Sequence, residues 1–384
     1  MMKTRSFTFL LPQEILLGPG KGKETGKLVS PIGRKAFIVT GKHSARQNGI
    51  LSEVCSSLTE SGILYTVFDD VEPEPSLETV DRGLIKARDE NIDMVISLGG
   101  GSALDSGKII AGLLGNGESV RPFFDGATLP SPGKPWIAMP TTAGTGSEMT
   151  SNSVLTDYRR KLKKSVRSRF LVARMVIIDP LFTKSMNPFT TAVSGIDALV
   201  QAIEAYTSPH GNPVSDVLSL EAVKILWYHL PSAVDTGEQI EYREFVAKGS
   251  MMSAMAFANS SSGLAHGFSH IIGPAFSIAH GEACGMLLSH VIRYNAQVMV
   301  QKYSVLADAL SLSGENEKEK VESFALAWED VMRKVRLRTR LREFGVSEEM
   351  LAGVIREDNI GKNILDNPRP FSREGMVDFL KEVV

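Results

Sequence analysis

The stretch "DMVISLGGGSALDSGKIIAGLL" (93–114) joins an apolar run to three consecutive glycines and then to a helical pattern. The run at 93–98 reads as a buried strand and 103–114 as a helix. Glycines 99 to 101 allow backbone amides to approach a phosphate, and the start of the helix adds a positive dipole. A tight strand-to-helix turn with no ligand fits the same local pattern. The spacing is not GxGxxG, nor is it a P-loop: Lys108 comes too late and no GK[ST] follows the glycines. Moving outward, "KAFIVT" (35–40, ended by Gly41), "LYTVFDDV" (64–71), "PWIAMPTT" (135–142) and "MVIIDP" (175–180) read as further strands. "ILSEVCSSLTESG" (50–62) and "SLETVDRGLIKARDEN" (76–91) read as helices, the second with Ser76 as N-cap. This alternation predicts an α/β fold with a doubly wound, mostly parallel sheet.

After about residue 185 long helical patterns follow one another without strands between them. The sequence therefore predicts an α/β domain over 1–184 and an all-α domain over 185–384, packed closely with a cleft. Hydrophobic residues at 43% and charged residues at 22% are ordinary for a soluble globular protein. A net charge of −2 offers no field for nucleic acid or anionic membrane. The two cysteines, Cys55 and Cys284, form no CxxC pair, which excludes a disulfide scaffold and a cysteine-zinc motif and suits a reducing cytoplasm. The apolar run near the N-terminus ends at Pro12 and Glu14, too short for a signal segment, and no apolar run reaches about 18 residues, so no membrane span is expected.

Three further stretches carry chemistry. "PTTAGTGSEMT" (140–150) offers the hydroxyls of Thr141, Thr142, Thr145 and Ser147 in a glycine-opened turn, suited to a ribose or pyrophosphate or simply to a surface loop. In "GIDALVQAIEAY" (195–206), Asp197 and Gln201 stand four apart and share a helix face, as a metal site with a weak second ligand, a metal site that manages without that ligand, or a plain helix face. "GLAHGFSHIIGPAFSIAHGEACGMLLSH" (263–290) holds four of the seven histidines. His266 and His270 are an i, i+4 pair, and His280 follows a Gly/Pro break that could return it beside them. Imidazole with a carboxylate suits zinc or ferrous iron. His43, His210, His229 and His290 read as surface or core residues.

The ordered motifs GGGSALDSGK, PTTAGTGSE, GIDALVQAIEAY with the following NPVSD, AHGFSH…AHGEA and the closing NPRP (367–370) together resemble the iron-containing, or group III, alcohol dehydrogenase family. The resemblance runs from the strand near Ile15 to the C-terminus. It implies a Rossmann-like N-terminal domain, a helical C-terminal domain, and hydride transfer between NAD or NADP and a small alcohol or aldehyde, assisted by a metal in the cleft. It further implies that Gly100, Gly101 and Ser102 hold the pyrophosphate and that Asp105 sits near the nicotinamide end. Thr141, Thr142 and Thr145 would line the nucleotide, with Lys164 beside the ribose. Asp197, His266 and His280 match the metal ligands, and His270 matches a non-ligand histidine near the substrate that would relay a proton.

Gln201 departs from the pattern, since most alcohol-oxidising members have histidine there, whereas glycerol dehydrogenases of the same superfamily manage with one Asp and two His. The expected cation is ferrous iron or zinc, with a metal-free protein as the alternative. At Gly41 an Asp would mark NAD preference; glycine there, with Lys42 and Arg46 close by, predicts that NADP(H) is accepted. Phe257, Phe268, Phe276 and Ile278 are expected near the metal and suggest a small, weakly polar substrate. Related scaffolds also serve a dehydroquinate synthase-like lyase, which needs basic side chains that 250–290 nearly lacks, and a maleylacetate reductase-like enzyme with few metal ligands. A homodimer or higher homo-oligomer in the cytoplasm is expected.

Overall fold

The computed structural model describes residues 6–354, 361–370 and 373–384. Leu10–Ser185 forms one compact unit. Its strands are β1 (Ile15–Leu17), β2 (Lys35–Gly41), β3 (Leu64–Val71), β4 (Met94–Gly99), β5 (Trp136–Pro140), β6 (Asn152–Asp157), β7 (Leu162–Arg167) and β8 (Met175–Ile178). Six of them make one sheet in the order β1-β8-β5-β4-β2-β3, every pair parallel. The longer helices of the unit are α1 (Ile50–Glu60), α2 (Leu77–Asp89) and α3 (Gly101–Leu113). Ser76 caps α2, its Oγ accepting from Thr79 N at 3.1 Å. Helix α3 starts at Gly101, two residues before the sequence pattern suggested, because extended Gly100 takes the cap position. Val29, Ile38, Val54, Leu58, Ile96 and Ile177 are fully buried together on the α1 side of the sheet, which explains the unbroken apolar runs.

The chain leaves β2 for β3 on one side and returns through α2 to β4 on the other. That reversal is a topological switch point, the place where open α/β sheets bind ligands beyond their strand ends. Thr40 pairs in register with Leu98, so Gly41 and the Gly99–Ser102 turn leave neighbouring strands side by side. β6 and β7 form a separate antiparallel hairpin that the sequence pattern did not reveal. Its strand β7 is mostly exposed and lysine-rich, and its turn holds no Gly or Asn; Lys161 takes the positive φ of 53° instead.

The other unit has Met186–Val384 as its body. It contains α4 (Pro188–Thr207), α5 (Pro213–Asp235), α6 (Ile240–Ala258), α7 (Leu264–Phe276), α8 (His280–Ala309) and α9 (Glu317–Lys334). Two helices open with the same Asn-Pro pair: Asn187 and Asn212 cap the backbone, and Pro188 and Pro213 occupy the first helical turn, where no N–H is needed. Trp328 of α9 is fully buried and donates from Nε1 to Gly285 O of α8 at 2.8 Å. Among the described residues no helix is long and apolar enough to cross a membrane.

Candidate functional site

The glycine turn and the threonine turn meet. Thr141 N donates to Gly99 O at 3.0 Å. A Cβ added at Gly101 would lie 3.1 Å from Thr145 Cγ2, tighter than an ordinary contact, while one at Gly100 would meet Thr142 at an ordinary 3.5 Å, so the two turns pack against each other. Ser102 Oγ accepts from Glu74 N at 3.2 Å. The buried Asp105 carboxylate accepts from Ser147 Oγ at 2.6 Å and from Val154 N at 3.0 Å, which fastens the threonine turn and β6 to α3. Lys108 completes that fastening: its buried Nζ donates to Ser147 O at 2.7 Å, Asn152 O at 2.6 Å and Thr150 Oγ1 at 3.0 Å. Burial pulls the Lys108 ammonium below its usual range, while the nearby Asp105 opposes that pull.

Gly41, Lys42 and Arg46 lie at the adjacent strand end, but Lys42 pairs with Asp70 at 3.3 Å and Arg46 pairs with Asp69, so the basic charge there is balanced. Lys164 is exposed on β7, its Nζ 5.6 Å from the centre of the Phe124 ring.

The second group is built by α4, α7 and α8. Asp197, His266, His280 and Cys284 bring one donor atom each within 4.8 Å of all the others. Asp197 and His266 are each 4% exposed, and Asp197 Oδ1 and His266 Nε2 stand 3.3 Å apart without a hydrogen bond of normal geometry to any group. With a protonated ring the two form an ion pair; with a neutral ring they face each other as two acceptors that a cation would satisfy. A carboxylate oxygen, two imidazole nitrogens and a sulfur fit a divalent cation of the zinc or ferrous type.

The neighbours set which ring nitrogens point inward. Glu204, buried on α4, accepts from Gly263 N at 2.8 Å, from Ala265 N at 2.7 Å and from His266 Nδ1 at 2.6 Å. With Nδ1–H committed to Glu204, a neutral His266 ring would present its Nε2 lone pair towards Asp197. Ser269 Oγ donates to His266 O at 2.8 Å and lies 3.3 Å from His280 Nδ1, so it accepts from that nitrogen, and His280 also presents Nε2. Such outer oxygen partners fix tautomer and ring orientation. Burial disfavours an imidazolium at His266, but the Glu204 and Asp197 carboxylates outweigh it and move its pKa up. Burial would raise Asp197, yet His266 and His280 hold its carboxyl below the usual range.

Gln201, 3% exposed, hydrogen-bonds the Asp197 carboxylate. His270 is exposed, stacked on His280 at 4.9 Å between ring centres, and outside the four-donor group. Phe257 lies over His266 at 6.2 Å, but Phe268 faces the core, fully buried and stacked on Phe379, so it is not a substrate-lining residue. Phe276 is half-buried and Ile278 buried at the turn into α8. His229 stacks on Phe245, and buried His290 meets Arg340. Sequence reasoning passed over Glu204, Ser269, Cys284 and Lys108. For two of them a signal existed: Glu204 extends the face Asp197–Gln201 at i+7, and Cys284 follows His280 at i+4.

Comparison with known proteins places the chain in a family. Residues 12–180 match the family model described as iron-containing alcohol dehydrogenase, and residues 191–384 match the C-terminal model of the same family. The NAD-dependent methanol dehydrogenase of Bacillus methanolicus is 31% identical over 381 residues, 98% of this chain and 99% of that one. The NADPH-dependent butanol dehydrogenase of Clostridium saccharobutylicum is 31% identical over 376 residues, 96% of this chain and 95% of that one. The crystal structure of a 1,3-propanediol oxidoreductase superposes with a TM-score of 0.94 at 31% identity, covering 99% of this chain and 100% of that one. With two family models together spanning nearly its whole length, the chain belongs to the iron-containing alcohol dehydrogenase family.

Proposed function

We propose that the Leu10–Ser185 unit binds the nicotinamide dinucleotide and that Asp197, His266 and His280 of the other unit hold a divalent cation for a small alcohol or aldehyde. The chain is an NAD(P)-dependent alcohol dehydrogenase or aldehyde reductase, as its relatives are. The observation that carries the site assignment is the buried Asp197 Oδ1 with His266 Nε2 at 3.3 Å and His280 Nε2 at 3.7 Å. When bound, the cation supplies Lewis acidity to an alcohol or carbonyl oxygen, and the nicotinamide supplies the hydride acceptor or donor.

The chain's own residues do the rest. Glu204 and Ser269 keep both imidazoles in the Nε2-presenting form, and Asp197 adds the negative charge. His270, exposed next to His280, moves the hydroxyl proton to and from water, as a general acid–base group does. Gly100, Gly101 and Ser102 hold the pyrophosphate at the α3 N-terminus, while Thr141, Thr142, Thr145 and Lys164 line the nucleotide. Asp105 acts near the nicotinamide end and also holds Ser147 and Val154 in place. The methanol, butanol and propanediol relatives support a short aliphatic alcohol or aldehyde as substrate. Homo-oligomer formation and a cytoplasmic setting complete the reading, the latter supported by two distant free cysteines.

Metal analysis beside kinetics tests the assignment. His266→Ala is expected to lose bound metal. His270→Ala is expected to keep it and to lose rate by roughly 10²–10⁴-fold. Metal lost from the His270 variant but retained in the His266 variant would overturn it.

A further inference from the structure

Cys284 is 0% exposed, one helical turn after His280 on α8. A buried cysteine usually fills space among carbon atoms. This one faces a carboxylate and two imidazoles. Its Sγ lies 3.7 Å from His280 Nε2, and His280 Nε2 lies 3.7 Å from Asp197 Oδ1, itself 3.3 Å from His266 Nε2. Zinc bonds of about 2.0–2.3 Å at tetrahedral angles give edges of about 3.3 Å between N or O donors and about 3.6 Å from N to S. These three contacts match such edges to within a few tenths of an ångström, and all four donors lie within 4.8 Å of one another.

We infer that Cys284 is the fourth protein ligand of the metal site, taking the place that Gln201 leaves open, with the substrate oxygen entering as a fifth ligand. This rests on the reading above that Asp197, His266 and His280 hold a cation. Gln201 offers only a neutral amide, which hydrogen-bonds Asp197. A thiolate is anionic and soft, and with Asp197 it neutralises a divalent cation in a buried setting where net charge is costly. The sulfur ligand also selects the metal: zinc, with cobalt as its spectroscopic substitute, is preferred to ferrous iron, and magnesium and manganese are disfavoured.

Anaerobic titration of the chelated full-length protein with Co²⁺ reads the sulfur directly. Wild type and Cys55→Ser are expected to show a near-ultraviolet thiolate-to-cobalt charge-transfer band together with the intense visible bands of four-coordinate cobalt. Cys284→Ser is expected to lose the charge-transfer band and to bind cobalt at least tenfold more weakly. Cobalt bound by wild type without the charge-transfer band, or a band that survives in Cys284→Ser or vanishes in Cys55→Ser, overturns the ligand assignment and leaves the three-residue site standing. Failure of wild type to bind cobalt overturns both.

Discussion

Glu204 stands seven residues after Asp197 on α4, and its carboxylate meets two backbone amides and one imidazole. At the scale of single residues, the nearness of His266, His270 and His280 was legible, because helical spacing and a Gly/Pro break are written in the sequence itself, whereas Asp197, on another helix, was joined to them only by the family resemblance. The partners that orient them were not, because Glu204 reaches His266 across 62 positions and Lys108 reaches the threonine turn across about 40. Side chains alone do not reveal such pairings until the helices are docked.

Gly41 was read from its position at a strand end, and the structure adds that Lys42 and Arg46 nearby are already paired with acids. A Cβ at Gly41 would lie 3.7 Å from Val71 O, an ordinary contact, so the backbone there has room for the start of a side chain. Gly41→Asp is expected to move the NAD-to-NADP ratio of kcat/KM towards NAD(H) by about tenfold, ~1.4 kcal/mol. An unchanged ratio from steady-state kinetics with both cofactors would show that the strand end does not read the adenosine 2′ position.

Helix α8 begins at His280, and the residue after it decides how close that helix comes to α4. A Cβ on Gly281 would lie 2.0 Å from Val193 O, a clash with backbone that no rotamer change can relieve. Gly281→Ala is expected to force α8 away from α4 and to cost about 1–3 kcal/mol or more in urea denaturation, with weaker cation binding as His280 shifts from Asp197. Stability within about 0.5 kcal/mol of wild type would mean that the approach of the two helices is softer than this packing requires. The sharp return that brings His280 back to α7 is made by Ser277 in the left-handed region at φ 54°, with Ile278 N donating to Gly273 O at 2.9 Å. Long helices and buried strands were readable from periodicity. The β6–β7 hairpin was hidden because its outer strand alternates weakly and its turn has none of the usual turn residues.

For the molecule as a whole, the alternation of strands and helices followed by uninterrupted helices made the two-part α/β and all-α architecture legible before any coordinate. Less visible was what secures the C-terminal end. Leu341 N donates to Val383 O at 3.1 Å, and Arg340 Nη1 donates to His290 Nε2 at 2.8 Å, which requires a neutral imidazole. Burial, aided by Arg340 and Arg293, lowers the His290 pKa from 6.5 to about 4. A depressed folded-state value means that the unfolded chain takes up the proton first. Stability contributed by neutral His290 is therefore intact above about pH 6.5 and is lost as the pH falls towards 4, by at most about 3 kcal/mol. The difference between wild type and His290→Gln in denaturation midpoint across that window measures it; parallel pH curves would remove His290 from the account of acid stability. Catalysis is a property of the whole chain, and its most direct test is nicotinamide turnover. Protein loaded with zinc or ferrous iron is to be assayed with NAD(H) and NADP(H) against a panel of short alcohols and aldehydes, then stripped with chelator and reloaded. Turnover of at least one pair, lost on stripping and restored on reloading, is the expected result; no turnover by the loaded protein across the panel, or turnover indifferent to the chelator, would contradict it.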